Sequence, residues 1–304
     1  MKNNLTLKER VKRRILFESK KLEPFLSDKL YLQIRFWLRV GYWPNLDHPR
    51  SFNEKLNWLK LHDQHPEYTM MVDKATAKDY VASIIGKEYI IPTIGIWDSI
   101  EEIEWELLPN QFVMKNTGDS GGIVVCKDKK SLNIEAAKAK LTKGIEVDYY
   151  KYSKEYPYKE VRNRIIVEAY MEDESGYELR DYKFFCFNGN ARYFKVDYDR
   201  AVDHHANYYD TLGNLQEFGE VMCPPIIEKE ISIPSNIDEM VNLANTLARE
   251  IKSPFLRVDF YNVHGNIYFG ELTFFPASGM GKFIPEEWDY KIGELLKLPD
   301  HANT

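Results

Sequence analysis

Apolar and polar positions along this chain change period several times, and each change marks an element. Apolar residues recur at helical spacing over Ile237–Ile251, over 74–85 and over 133–142, and these three stretches predict helices. Elsewhere the period drops to two. Residues 111–115 and 123–126 read as short apolar strands on either side of a glycine-rich loop, and 164–170, 182–187 and 191–198 read as further strands. Asn188-Gly189 between the last two is a type I′ turn signal. Near the C-terminus, Val258 and Phe260 alternate with Arg257, Asp259 and Tyr261, and Gly265 turns the chain into 268–273, where the alternation is looser; the pair predicts a hairpin. At the N-terminus Leu5, Leu7, Val11, Ile15 and Leu16 fall on one helical stripe, and 30–38 makes a second, more apolar helix. Residues 149–158 are dense in tyrosine without a clear period. They read as a linker that either lines a sugar-binding groove or packs as a surface loop.

With 304 residues, 44% hydrophobic, the chain can bury one large core or two medium ones. Its 41 basic and 47 acidic residues give −6, which argues against a nucleic-acid-binding surface. Cys126, Cys186 and Cys223 lack metal-ligand or disulfide spacing and fit a reducing cytoplasm. No apolar run reaches the length of a membrane span, and no signal-peptide core is present. Charge is nevertheless segregated: the first 40 residues hold eleven Lys and Arg against four Asp and Glu. Such a start either rests on an anionic membrane surface or packs on the body with its basic face in water.

Candidate chemistry lies on the hairpin and the glycine loop. Asp259 and Glu271 on neighbouring strands, with Arg257 two residues before the first, suit a hard divalent cation beside an anion gripped by the guanidinium; a solvated strand pair with a salt bridge has the same pattern. Lys115 closes a strand and leads into Gly118, Ser120, Gly121 and Gly122, a loop whose backbone suits polyphosphate and whose composition also suits a plain turn. Residues 118–122 reproduce the active-serine segment of trypsin-like proteases, but the upstream His48, His62 and His65 lie in helices or turns, and a strand rather than a helix follows. Lys183, Lys195, Asp197 and Arg200 either stabilise a transferring phosphoryl group or form cross-strand pairs. His204 and His205, adjacent on extended chain, point opposite ways and make no metal site.

Together these segments resemble the ATP-grasp superfamily, within it the branch of bacterial capsule and teichuronopeptide biosynthesis. The resemblance runs over 51–299 and begins with Phe52-Asn53-Glu54-Lys55-Leu56-Asn57-Trp58, followed by Val72-Asp73-Lys74. It implies an α+β fold with nucleotide between two lobes: a helical extension over 1–61, a first lobe over 62–148 and a second over 149–304. It also implies that Lys74 and Lys115 contact phosphates and that the loop with Gly118, Ser120, Gly121 and Gly122 covers ATP. Glu168 to Met171 would form the hinge at the adenine edge and Glu178 would accept the ribose hydroxyls. Arg257 would bind phosphate, and Asp259 and Glu271 would hold Mg2+, with Thr273 in the third position where the family's pattern has Asn. The implied activity is a ligase that activates a uronic or amino acid as an acylphosphate to modify a surface polysaccharide, in contact with the inner membrane or an assembly complex. A glycosyltransferase using a nucleotide-sugar, a sugar kinase and a non-catalytic nucleotide-binding partner remain alternatives. The loop over 276–281 is the candidate acceptor side.

Overall fold

The computed structural model describes residues 7–118, 121–176, 178–200, 202–229 and 231–299. Its helices are α1 (Leu7–Glu18), α2 (Asp28–Val40), α3 (Phe52–His62), α4 (Tyr68–Val72), α5 (Thr76–Ile85), α6 (Ile134–Ile145), α7 (Tyr149–Ser153), α8 (Ile237–Ile251) and α9 (Trp288–Leu295). The strands are β1 (Thr93–Trp97), β2 (Phe112–Asn116), β3 (Ile123–Cys126), β4 (Ile165–Ala169), β5 (Asp181–Phe187), β6 (Asn190–Tyr198), β7 (His205–Asp210), β8 (Gly219–Glu220), β9 (Phe255–Val263), β10 (Asn266–Thr273) and β11 (Phe283–Ile284). Helices and antiparallel sheets in this mixture make an α+β fold, as the sequence implied.

Two sheets carry the architecture, in the strand orders β1-β4-β2-β3 and β10-β9-β5-β6-β7. In the larger sheet, alternation sends Phe184, Phe194, Val258 and Phe260 into a core shared with α8, whose Met240, Ala244, Leu247 and Ile251 recur at helical spacing. Met240 and Leu247 are completely buried, each contributing about 1.5–3 kcal/mol. The opposite face carries charged residues around Lys183 and Asp259 and, further along, Phe187 and Phe255 packed on Phe52 of α3. In the smaller sheet Phe112, Met114, Ile165 and Val167 pack with Leu141 of α6, and by the same alternation Val113, Lys115 and Glu168 face the other way.

The expected division at 148/149 does not follow the sheets, because β4 is hydrogen-bonded between β1 and β2 and so completes the smaller sheet. The tyrosine-dense segment, read as a linker, carries secondary structure of its own. It forms α7, whose N-cap Asp148 accepts from the Lys151 amide, and a 3-10 turn over Tyr156–Tyr158.

α3 opens on a capping box in which Ser51 Oγ accepts from the Glu54 amide and the Glu54 carboxylate accepts from the Ser51 amide. Its polar stripe is turned inward. Asn53 Nδ2 donates to the Gly281 carbonyl at 2.6 Å, Asn57 Nδ2 to that of Gly279 at 2.6 Å, and Lys60 Nζ to Ser278 O at 3.0 Å and Ser278 Oγ at 2.9 Å. These bonds hold a loop in which Ala277, Ser278 and Gly279 have φ of 49°, 56° and 60°. Two non-glycine residues in the left-handed region cost about 1–3 kcal/mol each, which the bonds from α3 offset. Burial pulls the Lys60 ammonium down to about 8, against the opposing influence of Glu155.

Candidate functional site

A cleft of about 670 Å³ separates the two sheets. Val113, Ile123 and Val125 of the smaller sheet, with Tyr170, Met171 and Leu179, give it apolar lining, in which Ile123 is paired with Lys115 and Val113 with Glu168. Lys74, Lys115, Lys183, Arg200, Arg257, Asp181, Asp259 and Glu271 make the rest strongly charged. Antiparallel register explains the charged wall. Glu271 lies opposite Asp259, Asp259 opposite Lys183, and Lys183 opposite Lys195, so one row crosses β10, β9, β5 and β6. The looser alternation in β10 is a bulge: register shifts between Phe269 and Glu271, where Gly270 sits. A Cβ on Gly270 would meet the Tyr261 ring and the Asp259 carbonyl at 3.1 Å, so the bulge that sets Glu271 beside Asp259 is tightly packed.

Arg257 grips Asp259 through two bonds, Nε to Oδ1 and Nη2 to Oδ2, each 2.7 Å, and Lys183 Nζ reaches Asp259 Oδ2 at 2.8 Å. Burial works against the Asp259 charge, yet Arg257 and Lys183 hold its carboxyl below the ordinary aspartate range. Lys183 also pairs with Asp181, whose carboxyl is pushed up by burial, and Arg200 Nη1 bonds Asp181 Oδ2 at 3.1 Å. Further along, Lys195 bonds Glu220 Oε2 at 2.8 Å and lies 3.6 Å from Asp197 Oδ1. Asp197 also lies 3.4 Å from His204 Nε2, and His204 Nδ1 is 3.3 Å from Cys223 Sγ. The nearby Asp197 carboxylate, then the contact with Cys223, raises the His204 imidazole to about 9.

On the opposite wall Glu168 is buried between two lysines. Lys115 Nζ lies 2.7 Å from its Oε2, and Lys78 pairs with Oε1 while donating to the Ile91 carbonyl at 2.8 Å and to Thr93 Oγ1 at 3.0 Å. Burial raises the Glu168 carboxyl, but Lys115 and Lys78 overcome it and keep it below its ordinary range. Lys74 Nζ lies 3.5 Å from Glu271 Oε1.

Of the residues singled out in the sequence, Lys74, Lys115, Glu168, Met171, Glu178, Lys183, Arg257, Asp259 and Glu271 all line this one cleft. Glu178 accepts from the Asp199 amide at 2.7 Å and from Arg180 Nε at 3.2 Å. Gly118 is placed elsewhere. A Cβ there would collide with Asn163 and Val161, and it borders a separate cavity of about 270 Å³ beside α7, so close packing accounts for this glycine. Gly121 and Gly122 lead into β3, the Gly122 carbonyl accepting from the Asn116 amide at 3.2 Å. Ser120 lies outside the described residues. Thr273 Oγ1 lies on the same strand face and accepts at 3.0 Å from Arg257 Nη2, the nitrogen that also bonds Asp259 Oδ2. Two oxygen-donor carboxylates on adjacent strands, ringed by cations, fit a hard divalent ion bound together with a phosphate.

Sequence reasoning missed Lys78, although it stands four residues after Lys74. It also missed Asp181, and the contact of Asp73 with Arg164 Nη2 at 3.0 Å. His204 and Cys223 carried no local signal that would have joined them to Asp197.

The family model described as TupA-like ATPgrasp matches residues 54–297. Among solved structures, the chain is similar to D-alanine–D-alanine ligase from Bacillus anthracis complexed with ATP, at 15% identity over 67% of this chain and 53% of that one, with a TM-score of 0.39. It is also similar to N5-carboxyaminoimidazole synthetase from Staphylococcus aureus complexed with ADP, at 15% identity over 67% and 44% of the two chains, with a TM-score of 0.40. D-alanine–D-alanine ligase from Helicobacter pylori matches at 13% identity over 82% and 69%, with a TM-score of 0.42. The chain spans about half the length of the first two of these ligases and synthetases. No curated protein matches.

Proposed function

The chain belongs to the TupA-like ATP-grasp family and has the ATP-grasp fold, and from that premise we propose that it is an ATP- and Mg2+-dependent ligase acting on a carboxylate destined for a bacterial surface polysaccharide. The observation that carries the reading is that one cleft joins apolar side chains that suit a base to the Asp259/Glu271 pair and several cations that suit a metal triphosphate. In this reading the Met171 backbone meets the adenine edge and Glu178 accepts the ribose hydroxyls. Lys74 and Lys115 hold phosphate oxygens, with Gly121, Gly122 and Ser120 in the covering loop. Asp259 and Glu271 hold Mg2+, which when bound would neutralise part of the triphosphate charge.

The remaining work is positioning and charge. Arg257 is fixed by its two bonds to Asp259, and its charge is preserved by that contact. Lys183, anchored on Asp181 and Asp259, places a second cation where the transferred phosphoryl group would carry developing charge. The γ-phosphoryl of ATP passes to an oxygen of a uronic or amino acid, leaving ADP and an acylphosphate. An amine then attacks the acyl carbon, phosphate departs, the amine nitrogen loses a proton, and an amide remains. The loop over 276–281, which follows the Asp259/Glu271 hairpin directly, is the acceptor side in this reading.

Phosphate release from ATP should require both Mg2+ and a carboxylated sugar or amino acid, and hydroxylamine added to the working mixture should trap a hydroxamate. A stable phosphorylated sugar without hydroxamate would make the enzyme a kinase. Turnover of a nucleotide-sugar with no turnover of ATP would replace the ligase with a glycosyltransferase.

A further inference from the structure

α1 and the turn after it leave a large apolar area in water. Val11, Ile15, Phe17, Leu22 and Phe25 are 50, 49, 64, 43 and 83% exposed, and Trp37 of α2 is 50% exposed. Between the two helices runs an open groove of about 480 Å³ lined by Val11, Ile15, Leu22, Ile34, Trp37 and Leu38. Single exposed apolar residues are ordinary, but five of them over Val11 to Phe25, beside an open apolar groove, mark a surface that meets something.

The charge on this segment says what it meets. The first 40 residues carry eleven Lys and Arg against four Asp and Glu, while the remaining 264 carry 30 against 43. A segment of net charge +7 is therefore mounted on a body of net charge −13. Arg14 is exposed, and the Lys21 side chain, 74% exposed and paired with Glu18 at 2.6 Å, lies on the same segment as Phe17 and Phe25. Aromatic rings that enter the headgroup region, bordered by cations that meet lipid phosphates, are the composition of a helix lying on an anionic bilayer. A second copy of the chain is a poor fit, because a two-fold contact through this face would set one cation-rich segment against another.

We propose that α1, the Ser19–Phe25 turn and the exposed face of α2 form a docking surface for an anionic lipid bilayer. Among the described residues no helix is long and apolar enough to cross a membrane, so the contact is with the bilayer surface. The other face of α2 anchors the patch to the body. Leu32 and Phe36 are buried with Leu46 and Met280, and Met280 directly follows the left-handed loop that α3 holds. The surface does not depend on the ligase reading, since vesicle binding and ATP turnover are separate measurements.

The test is co-sedimentation of the full chain with vesicles of phosphatidylcholine alone, or with about one-third phosphatidylglycerol. Binding should need the anionic lipid and should fall steeply as salt is raised. R14Q/K21Q should weaken it by roughly tenfold or more, at about fivefold per basic residue. Phe17→Ser/Phe25→Ser should weaken it further at unchanged melting temperature, since both rings are exposed in the folded chain. Equal binding to both vesicles, no binding to either, or binding unaffected by these variants overturns the proposal. So does a concentration-dependent dimer that the Phe17/Phe25 variant abolishes while lipid binding is absent.

Discussion

Glu168→Gln tests how the wall opposite the Asp259/Glu271 hairpin is held. The Glu168 side chain is 5% exposed and the lysines on either side of it, Lys78 and Lys115, are 8% and 15% exposed. Removing the central charge leaves two cations facing a neutral amide in a nearly dry site, and losing one partner of a buried pair costs about 3–5 kcal/mol. Lys78 retains its bonds to Ile91 O and Thr93 Oγ1, and the more exposed Lys115 can extend into the cleft, so the lower end of that range applies. Urea unfolding followed by tryptophan fluorescence should therefore show a loss of about 3 kcal/mol. A cycle with Lys78→Met should give a coupling of about 1–3 kcal/mol, because Lys78→Met removes one of the cations stranded by Glu168→Gln. The pH dependence follows from the lowered Glu168 carboxyl: its contribution is complete above the ordinary value of 4.5 and disappears as the pH falls through the lower folded value. The gap between wild type and Glu168→Gln should close in that acid window. A loss below about 1 kcal/mol, or a coupling of zero, would refute the buried triad.

Two further predictions separate metal binding from stability and test the His204 pair. Glu271 is 30% exposed and Asp259 2%; Glu271→Gln should abolish Mg2+-dependent ATP turnover at an unchanged melting temperature, whereas Asp259→Asn should lose both, because it strands Arg257 and Lys183. Thermal unfolding and a Mg2+ titration on each variant check this, and Mg2+-dependent turnover in Glu271→Gln would remove that residue from the metal site. For His204, an NMR titration should give a pKa of about 9, returning toward 6.5 in Asp197→Asn. Since the folded value is raised, stability from this pair is full below 6.5 and lost as the pH rises through about 9, and His204→Gln should be flat across that window. The imidazole is 36% exposed, so solvent screening limits the effect to about 1 kcal/mol or less.

Elements with strong local periodicity were legible in the sequence. Ile237–Ile251 matches α8 end to end, and the hairpin around Gly265 matches β9 and β10. What local reading could not supply was the register. The β10 alternation looked broken because Gly270 and Glu271 both face the cleft across a bulge, and only pairing with β9 shows that this sets Glu271 beside Asp259. Glu168 was read for its backbone, because its two lysine partners come from α5 and β2. The polar stripe of α3 was opaque for a different reason. Asn53, Asn57 and Lys60 at helical spacing describe a solvated face, and nothing local says that carbonyls from 278–281 will cover it. α9 has no side-chain cap at Glu287 and gave little warning of its start.

That same stripe constrains how the molecule can be assembled. Its bonds to the left-handed loop span 218 to 228 residues, so the loop takes its shape only after the two ends of the chain have met. During synthesis α3 is made long before its partners and must wait, its inward-facing polar groups in water, until 278–281 have emerged. A fragment starting at residue 149 would keep the Asp259/Glu271 hairpin but lose the helix that bends 277–279 into place. The metal-binding strands and the loop beside them are contiguous in sequence, yet no contiguous piece of the second half builds both.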